Sequence, residues 1–218
     1  IDIAKEGMLA LTDGLDGVGA AYGLSIFAAD ATTLLEMGSG PSHLADLRSV
    51  VDKIALDDWT NVGAGLRAGY GQLNRSAGAG CVVLMSDGQH NTGGPFDDSV
   101  AQFKAKQWPV YTVGFGEDAG KAELQGIARE TGGTFWLAGA RNLGSVFLDS
   151  GSLCTNTSTT KRVTETMGPG SEVEYTMLVQ QGMNEIGGHA TWQGSTLDVM
   201  LVDPRGRQIP SSALPAQD

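Results

Sequence analysis

Residues 81–91 read CVVLMSDGQHN, an apolar run that ends in polar residues. Its first part, Cys81–Met85, is a short apolar run of the kind found in parallel strands that are buried on both faces. Ser86-Asp87-Gly88 follows, so a carboxylate stands directly after the strand. Because ligands in open α/β sheets bind beyond the carboxyl ends of the strands, Asp87 occupies a candidate site position. A simple turn at Asp87-Gly88 is the alternative interpretation.

The segments on both sides of this strand alternate between helical and strand patterns. The apolar spacing predicts helices over residues 2–14, 43–55, about 62–73, 96–106, 119–130 and 143–148, and strands over residues 22–29, 32–37, 81–85, 110–115 and 134–137. The strand–helix alternation from residue 81 onward predicts an α/β fold with a doubly wound, mostly parallel sheet flanked by helices. The first two strands, joined by a tight turn at Asp30-Ala31, predict a hairpin at one edge.

The style of the sequence changes after Cys154, where Thr, Ser and Val become frequent. A period-two alternation around Glu172–Val179, followed by short apolar runs at Gly188–Trp192 and Leu197–Val202, is typical of antiparallel strands. We therefore predict one domain over residues 1–154 and a small C-terminal β-sandwich over residues 155–218.

Composition excludes several classes of function. The formal net charge is −11, which argues against binding to nucleic acid, since phosphates require basic patches. No apolar run approaches the ~20 residues of a membrane-spanning helix, so we expect no membrane span in this chain. The chain has two cysteines and three histidines, without the spacing of a metal cluster, a zinc protease or a catalytic triad.

Four stretches resemble the von Willebrand factor type A domain, in the order and with the spacing of that family over about residues 1–153. They are DDWTNVGAGL, which resembles the threonine loop, LMSDGQHN, which resembles the fourth strand and its S/T-D-G motif, VYTVGFG, and LQGIARETGGTFWLA. The resemblance implies the same doubly wound sheet. The C-terminal stretch WQGSTLDVMLVDPRG is similar to β-sandwich segments that follow such domains in secreted proteins.

The resemblance also implies a metal-ion-dependent adhesion site, in which Thr60 and Asp87 are metal ligands. The implied ion is Mg²⁺ or Mn²⁺, with Ca²⁺ as a further candidate, and an acidic side chain of a protein partner would complete its shell. A hydroxyl, a carboxylate and waters are suitable oxygen ligands for such ions. The candidate rim residues are Asp58, Trp59, Asn61, Gly88 and His90. For Asp58, Trp59, Gly88 and His90, a loop or packing role is the alternative.

The family's D-x-S-x-S loop is absent from the sequence. Asp149-Ser150-Gly151-Ser152 has its serines at the wrong spacing, and we interpret it as a helix end. In the family, the loop follows a central strand that would lie between the strands of residues 22–29 and 81–85. We expect that strand and loop to come from sequence upstream of Ile1, or from another segment or chain, and metal binding depends on them.

The two cysteines fit one end of this fold. Cys81 begins its strand, on the side opposite the candidate site, and the helix before Cys154 should run back to that side. We hypothesise a Cys81–Cys154 disulfide, which favours an extracellular, cell-surface or periplasmic location.

These observations predict a non-enzymatic module for adhesion or protein binding. Two alternatives remain: a structural scaffold with a vestigial metal site in a larger assembly, and an accessory domain that recruits substrate for a secreted enzyme.

Overall fold

The computed structural model describes residues 2–55, 59–76, 80–116, 119–139, 142–157, 163, 165–179, 181 and 198–210. It divides the chain into two units, Ile1–Glu185 and Ile186–Asp218. The predicted domain boundary near residue 155 stays a prediction. Within the part of the chain that the structure describes, no helix has both the length and the apolar character needed to cross a membrane.

The first unit alternates strands and helices as predicted. Its helices are α1 (Asp2–Gly17), α2 (Pro41–Val51), α3 (Val62–Arg75), α4 (Asp97–Lys106), α5 (Lys121–Thr131) and α6 (Leu143–Thr155). Its strands are β1 (Tyr22–Phe27), β2 (Ala31–Gly38), β3 (Val82–Ser86), β4 (Val110–Phe115) and β5 (Phe135–Ala138). The α/β class with a parallel sheet flanked by helices is therefore confirmed.

The strands form two separate groups. Parallel pairing gives the order β3-β4-β5, and β1 pairs with β2 as the predicted antiparallel hairpin. Among the described strands, none pairs with the second edge of β1 or of β3. Each of these two strands thus keeps one row of backbone donors and acceptors without a strand neighbour.

Helices cover both faces of β4, and five of its six residues are buried. Val110 belongs to a core with residues of α3, α4 and α5, whereas Val113 packs with Val146 and Phe147 of α6 and with side chains of α1. Both valines have no exposed surface. A strand buried on both faces has no solvent side, so its apolar residues need not alternate with polar ones.

Helix α3 lies across both strand groups. A Cβ atom at Gly65 would stand 2.8 Å from the Phe27 ring of β1, and one at Gly69 would stand 3.0 Å from Cγ2 of Val82 on β3. The two glycines let the helix backbone approach each group closely. Helix α3 therefore packs against both β1 and β3, and its first residue follows the loop of the candidate site.

The last helix differs from the prediction. Helix α6 continues through Asp149–Ser152 to Thr155, so the interpretation of that stretch as a helix end is wrong. Gly151 is buried, and a Cβ atom there would stand 2.5 Å from Cδ1 of Leu11 on α1. Close packing of α1 on α6 stabilises a helical turn that the weak helix formers Gly and Ser would not favour alone.

The disulfide hypothesis is confirmed. Cys81 and Cys154 are bonded, with their Cα atoms 5.7 Å apart, which is an ordinary separation for a disulfide. Cys81 immediately precedes β3, and Cys154 lies in the last turn of α6. The bond thus joins the start of β3, in the β3-β4-β5 group, to the last helix of the unit.

The predicted C-terminal β-sandwich is not supported. In the first unit, the described residues 171–179 form no strand, although their sequence alternates, and Leu178 is 81% exposed. Alternation produces a strand only where a neighbouring strand pairs with its backbone groups. In the second unit, β6 (Met200–Val202) and β7 (Gln208–Pro210) form an antiparallel hairpin. Gly188–Trp192 lies outside the described residues.

Candidate functional site

The candidate site begins where β3 ends. Ser86 is buried, and its hydroxyl donates a hydrogen bond of 3.0 Å to the carbonyl of Gly88, which tightens the turn after the strand. Asp87 lies between them and is exposed. Within the part of the chain that the structure describes, its carboxylate has no hydrogen-bond or ion-pair partner. This carboxylate is therefore available to a ligand from solvent.

Hydrogen bonds of Asn61 hold the loop that carries Thr60. The backbone N–H of Asn61 donates to the carbonyl of Ala28 at 2.8 Å, and its side-chain Nδ2 donates to the carbonyl of Ala29 at 2.8 Å. Its Oδ1 accepts a 3.0 Å hydrogen bond from Ala64 N–H, which caps the start of α3. The side chain of Asn61 is buried, 6% exposed, so it anchors the loop in this structure, and its place at the site rim stays a prediction.

The two loops are joined to each other by residues of the SDGQHN stretch. Thr60 N–H donates to Oδ1 of Asn91 at 2.9 Å, and Asn91 N–H donates to the carbonyl of Thr60 at 3.1 Å. Val62 N–H donates to Nδ1 of His90 at 3.3 Å. Residues about thirty positions apart in sequence therefore lie side by side at the carboxyl ends of the strands.

The structure brings Thr60 next to the residue that follows Asp87. A Cβ atom at Gly88 would stand 3.1 Å from the hydroxyl oxygen of Thr60. Among the residues that the structure describes, that hydroxyl has no hydrogen-bond partner. Within the described residues, a hydroxyl and a carboxylate without partners thus lie on adjoining loops of the first unit.

The oxygen atoms of these two groups are suitable ligands for a hard divalent cation, but two protein ligands are too few to hold one firmly. Hydroxyl and carboxylate oxygens are the ligands that Mg²⁺ prefers, and Mg²⁺ usually retains several waters. However, no group of three or more His, Cys, Asp or Glu side chains in the described parts of the chain could hold a metal ion. Thr60 and Asp87 can therefore supply only part of a coordination shell.

The remaining predicted rim residues differ in their surroundings. Trp59 is 53% exposed beside Thr60, and the Cβ position of Gly88 faces the Thr60 hydroxyl. The ring of His90 packs edge-on against Phe96, with ring centroids 5.1 Å apart. The backbone N–H of His90 donates to Oε2 of Glu123 at 3.2 Å. Because its Nδ1 accepts from Val62, His90 serves as a loop anchor in this structure. Asp58 lies outside the described residues.

Sequence reasoning missed three residues that build the site. Asn91 joins the two loops, Glu123 accepts from the Asp87 loop, and Gly93 leaves space for Asn61. A Cβ atom at Gly93 would stand 2.6 Å from the amide of Asn61, and the φ of Gly93 is +86°. The Gly93-Gly94 pair is a visible turn signal, but no sequence pattern indicates which side chain Asn91 or Glu123 contacts.

Comparison with known proteins identifies the family. The family model of the von Willebrand factor type A domain matches residues 4–145, which is more than half of the chain. The chain therefore belongs to the von Willebrand factor type A family. None of the curated proteins compared with the chain matches it.

Solved structures share this fold at low sequence identity. A von Willebrand factor type A protein from Catenulispora acidiphila has a TM-score of 0.64 and 19% identity, covering 69% of this chain and 37% of its own. Proximal thread matrix protein 1 from the mussel byssus, in a structure with a zinc-occupied MIDAS motif, has a TM-score of 0.57 and 20% identity, covering 70% of this chain and 42% of its own.

A third similar structure is the vWF domain of the type V pili tip protein Mfa5 from Porphyromonas gingivalis. It has a TM-score of 0.57 and 13% identity, covering 74% of this chain and 90% of its own. The present chain spans well under two thirds of the length of the first two structures. At these identities the likeness establishes the fold alone.

Proposed function

We propose that this chain is a non-enzymatic protein-binding module of the adhesion type, with its ligand site at Thr60 and Asp87. The observation that carries the proposal is the close approach of the two loops: the Thr60 hydroxyl lies 3.1 Å from the Cβ position of Gly88, the residue after Asp87. Both polar groups lack partners within the described residues. Membership of the von Willebrand factor type A family supports a binding role for this end of the fold.

The module takes a divalent cation, Mg²⁺ or Mn²⁺, with Ca²⁺ as a further candidate. Thr60 would hold it through its hydroxyl, and Asp87 through its carboxylate or a bridging water. The bound ion would supply a positive charge that attracts an acidic side chain of the protein partner. The rest of its protein ligands must come from another segment, since residues 1–218 contain no D-x-S-x-S motif. The zinc-occupied MIDAS motif of the mussel protein supports a metal at this place in the fold.

The same additional segment would complete the sheet. The unpaired edges of β1 and β3 can each accept a parallel or antiparallel strand. We propose that one strand, from upstream sequence or from another segment or chain, pairs with both edges and carries the missing loop to Thr60 and Asp87.

We propose an extracellular, cell-surface or periplasmic location for the module. The Cys81–Cys154 disulfide supports this location because such bonds persist in oxidising compartments. Trp59, 53% exposed beside Thr60, would contribute apolar contact area to a protein partner.

A structural scaffold with a vestigial metal site is the second candidate. The incomplete ligand set among the described residues favours it. A role as accessory domain of a secreted enzyme differs only in what the partner is.

The experiment is titration of the chain with MnCl₂ in large excess, because Thr60 and Asp87 alone supply only part of a coordination shell and would bind the ion weakly. Binding is read from paramagnetic broadening of the backbone amide resonances. We expect broadening centred on residues 60 and 87, lost in Thr60→Ala and in Asp87→Ala. Asp46→Ala is the matched control, since Asp46 is an exposed carboxylate on α2. Broadening that is absent, or that survives both site substitutions, would reject the cation site and leave the scaffold.

A further inference from the structure

We propose that Asn91 is the positioning residue of the candidate site, which aims the Thr60 hydroxyl at the Asp87 loop. This inference rests on the proposed function in one respect, namely that the Thr60 hydroxyl is a ligand group. The arrangement of hydrogen bonds on which it stands is independent of any ion.

Asn91 engages both backbone polar groups of Thr60. Its side-chain Oδ1 accepts from Thr60 N–H at 2.9 Å, while its backbone N–H donates to the Thr60 carbonyl at 3.1 Å. The peptide groups on both sides of the Thr60 Cα atom are thereby fixed with respect to residue 91. Removing the Asn91 side chain would release the first of these bonds and leave the second.

The segment that carries Asn91 is itself anchored to two helices. His90 N–H donates to Oε2 of Glu123 on α5 at 3.2 Å, and Nδ1 of His90 accepts from Val62 N–H at the start of α3 at 3.3 Å. The Gly88 carbonyl accepts from Gly120 N–H, before α5, at 3.4 Å. The helices around the site therefore fix the position of Asn91, and Asn91 in turn fixes the backbone of Thr60.

The direction of the hydroxyl depends on this backbone. Thr60 is β-branched, so its χ1 angle is restricted by its own φ and ψ. In the described residues no hydrogen bond holds the hydroxyl itself. The Thr60 rotamer is consequently set through the peptide groups that Asn91 binds, and a ligand hydroxyl must be held in one direction to coordinate an ion.

The test uses the whole chain without metal. Three variants are compared: Asn91→Ala, which removes the acceptor, Asn91→Asp, which retains an acceptor oxygen, and Gln89→Ala, which truncates an exposed side chain of the same loop. We measure the three-bond couplings that report χ1 of Thr60 and the hydrogen-exchange protection of its amide. Asn91→Ala should average the χ1 couplings and lower the protection about fivefold, as the loss of one net hydrogen bond implies. Asn91→Asp and Gln89→Ala should retain the parent values.

A merely structural role would lower the global stability of Asn91→Ala without changing the Thr60 couplings, and that result would overturn the proposal. Unchanged amide protection in Asn91→Ala would overturn it as well. A second arm adds MnCl₂ to the same variants. If Mn²⁺ causes no local broadening in the parent chain while the Thr60 couplings respond as expected, the cation site fails and the positioning by Asn91 stands.

Discussion

The hydroxyl oxygen of Thr60 lies 3.1 Å from the point where a Cβ atom on Gly88 would stand. This close approach places the loop before α3 beside the turn that follows β3, at the carboxyl ends of the strands. It also makes the absence of a side chain at residue 88 part of the site, because a methyl group there would press on the hydroxyl.

Substitution of Gly88 by alanine is expected to weaken cation binding with little effect on stability. The added methyl group would force the Thr60 hydroxyl to move by a few tenths of an ångström, away from the direction in which it can share an ion with Asp87. We expect weaker Mn²⁺ broadening at residues 60 and 87, and a change of less than about 1 kcal/mol in the free energy of unfolding. Gly94→Ala is the control, since a Cβ atom at Gly94 meets nothing within 4 Å. Equal Mn²⁺ responses in the two variants would contradict the prediction.

Substitution of Gly93 by alanine is expected to lower stability instead. Gly93 has a φ of +86°, a backbone angle that residues other than glycine rarely adopt. Its Cβ position is 2.6 Å from the Asn61 amide. The strain and the displaced Asn61 anchor together should cost about 1–3 kcal/mol in urea unfolding. Gly94→Ala again provides the comparison in the same loop, and a Gly93→Ala protein as stable as that control would refute the expectation.

Loss of the disulfide is expected to destabilise the first unit by roughly 4 kcal/mol, the chain-entropy value for a loop of this length. The bond closes a loop between residues separated by 73 positions. The free energy of unfolding is measured in urea with and without reductant, for the parent chain and for a Cys81→Ser/Cys154→Ser double variant. The stability of the double variant should be the same with and without reductant, and it should match that of the reduced parent chain. A parent chain insensitive to reductant would show that the bond constrains little of the unfolded state.

Alkaline pH is expected to lower stability through Tyr22. Burial, together with the negative charge of Asp16, which accepts a hydrogen bond from the phenol, raises the pKa of Tyr22 from its usual 10.0 to about 12. Between these values the unfolded chain releases the proton and the folded chain retains it. The contribution is therefore complete below about pH 10 and is lost as pH rises toward about 12.

The check is urea unfolding between about pH 8 and about pH 11, for the parent chain and for Tyr22→Phe. The variant keeps the ring but has no phenol to titrate, so its stability should fall less steeply over this range. Parallel curves for the two proteins would show that Tyr22 does not contribute to the alkaline loss.

Local periodicity was sufficient to predict the strand–helix alternation of the first unit, because each apolar run needs only its own residues to be recognised. It was insufficient where packing decides the outcome. Helix α6 extends to Thr155 because Gly151 meets Leu11 of α1, and the alternating residues 171–179 form no strand. Neither result follows from the propensity of the segment alone.

The α/β class, the family and the candidate pair Thr60 and Asp87 could be predicted from residue types at characteristic positions along the chain. The burial of Asn61, the hydrogen bonds between Asn91 and Thr60, and the approach of Gly88 to the Thr60 hydroxyl are visible only in the folded chain. Asn91 and Thr60 are 31 residues apart. A hydrogen bond between two such loops exists only because the strands and helices beneath them bring their ends together, and no local pattern records that distance.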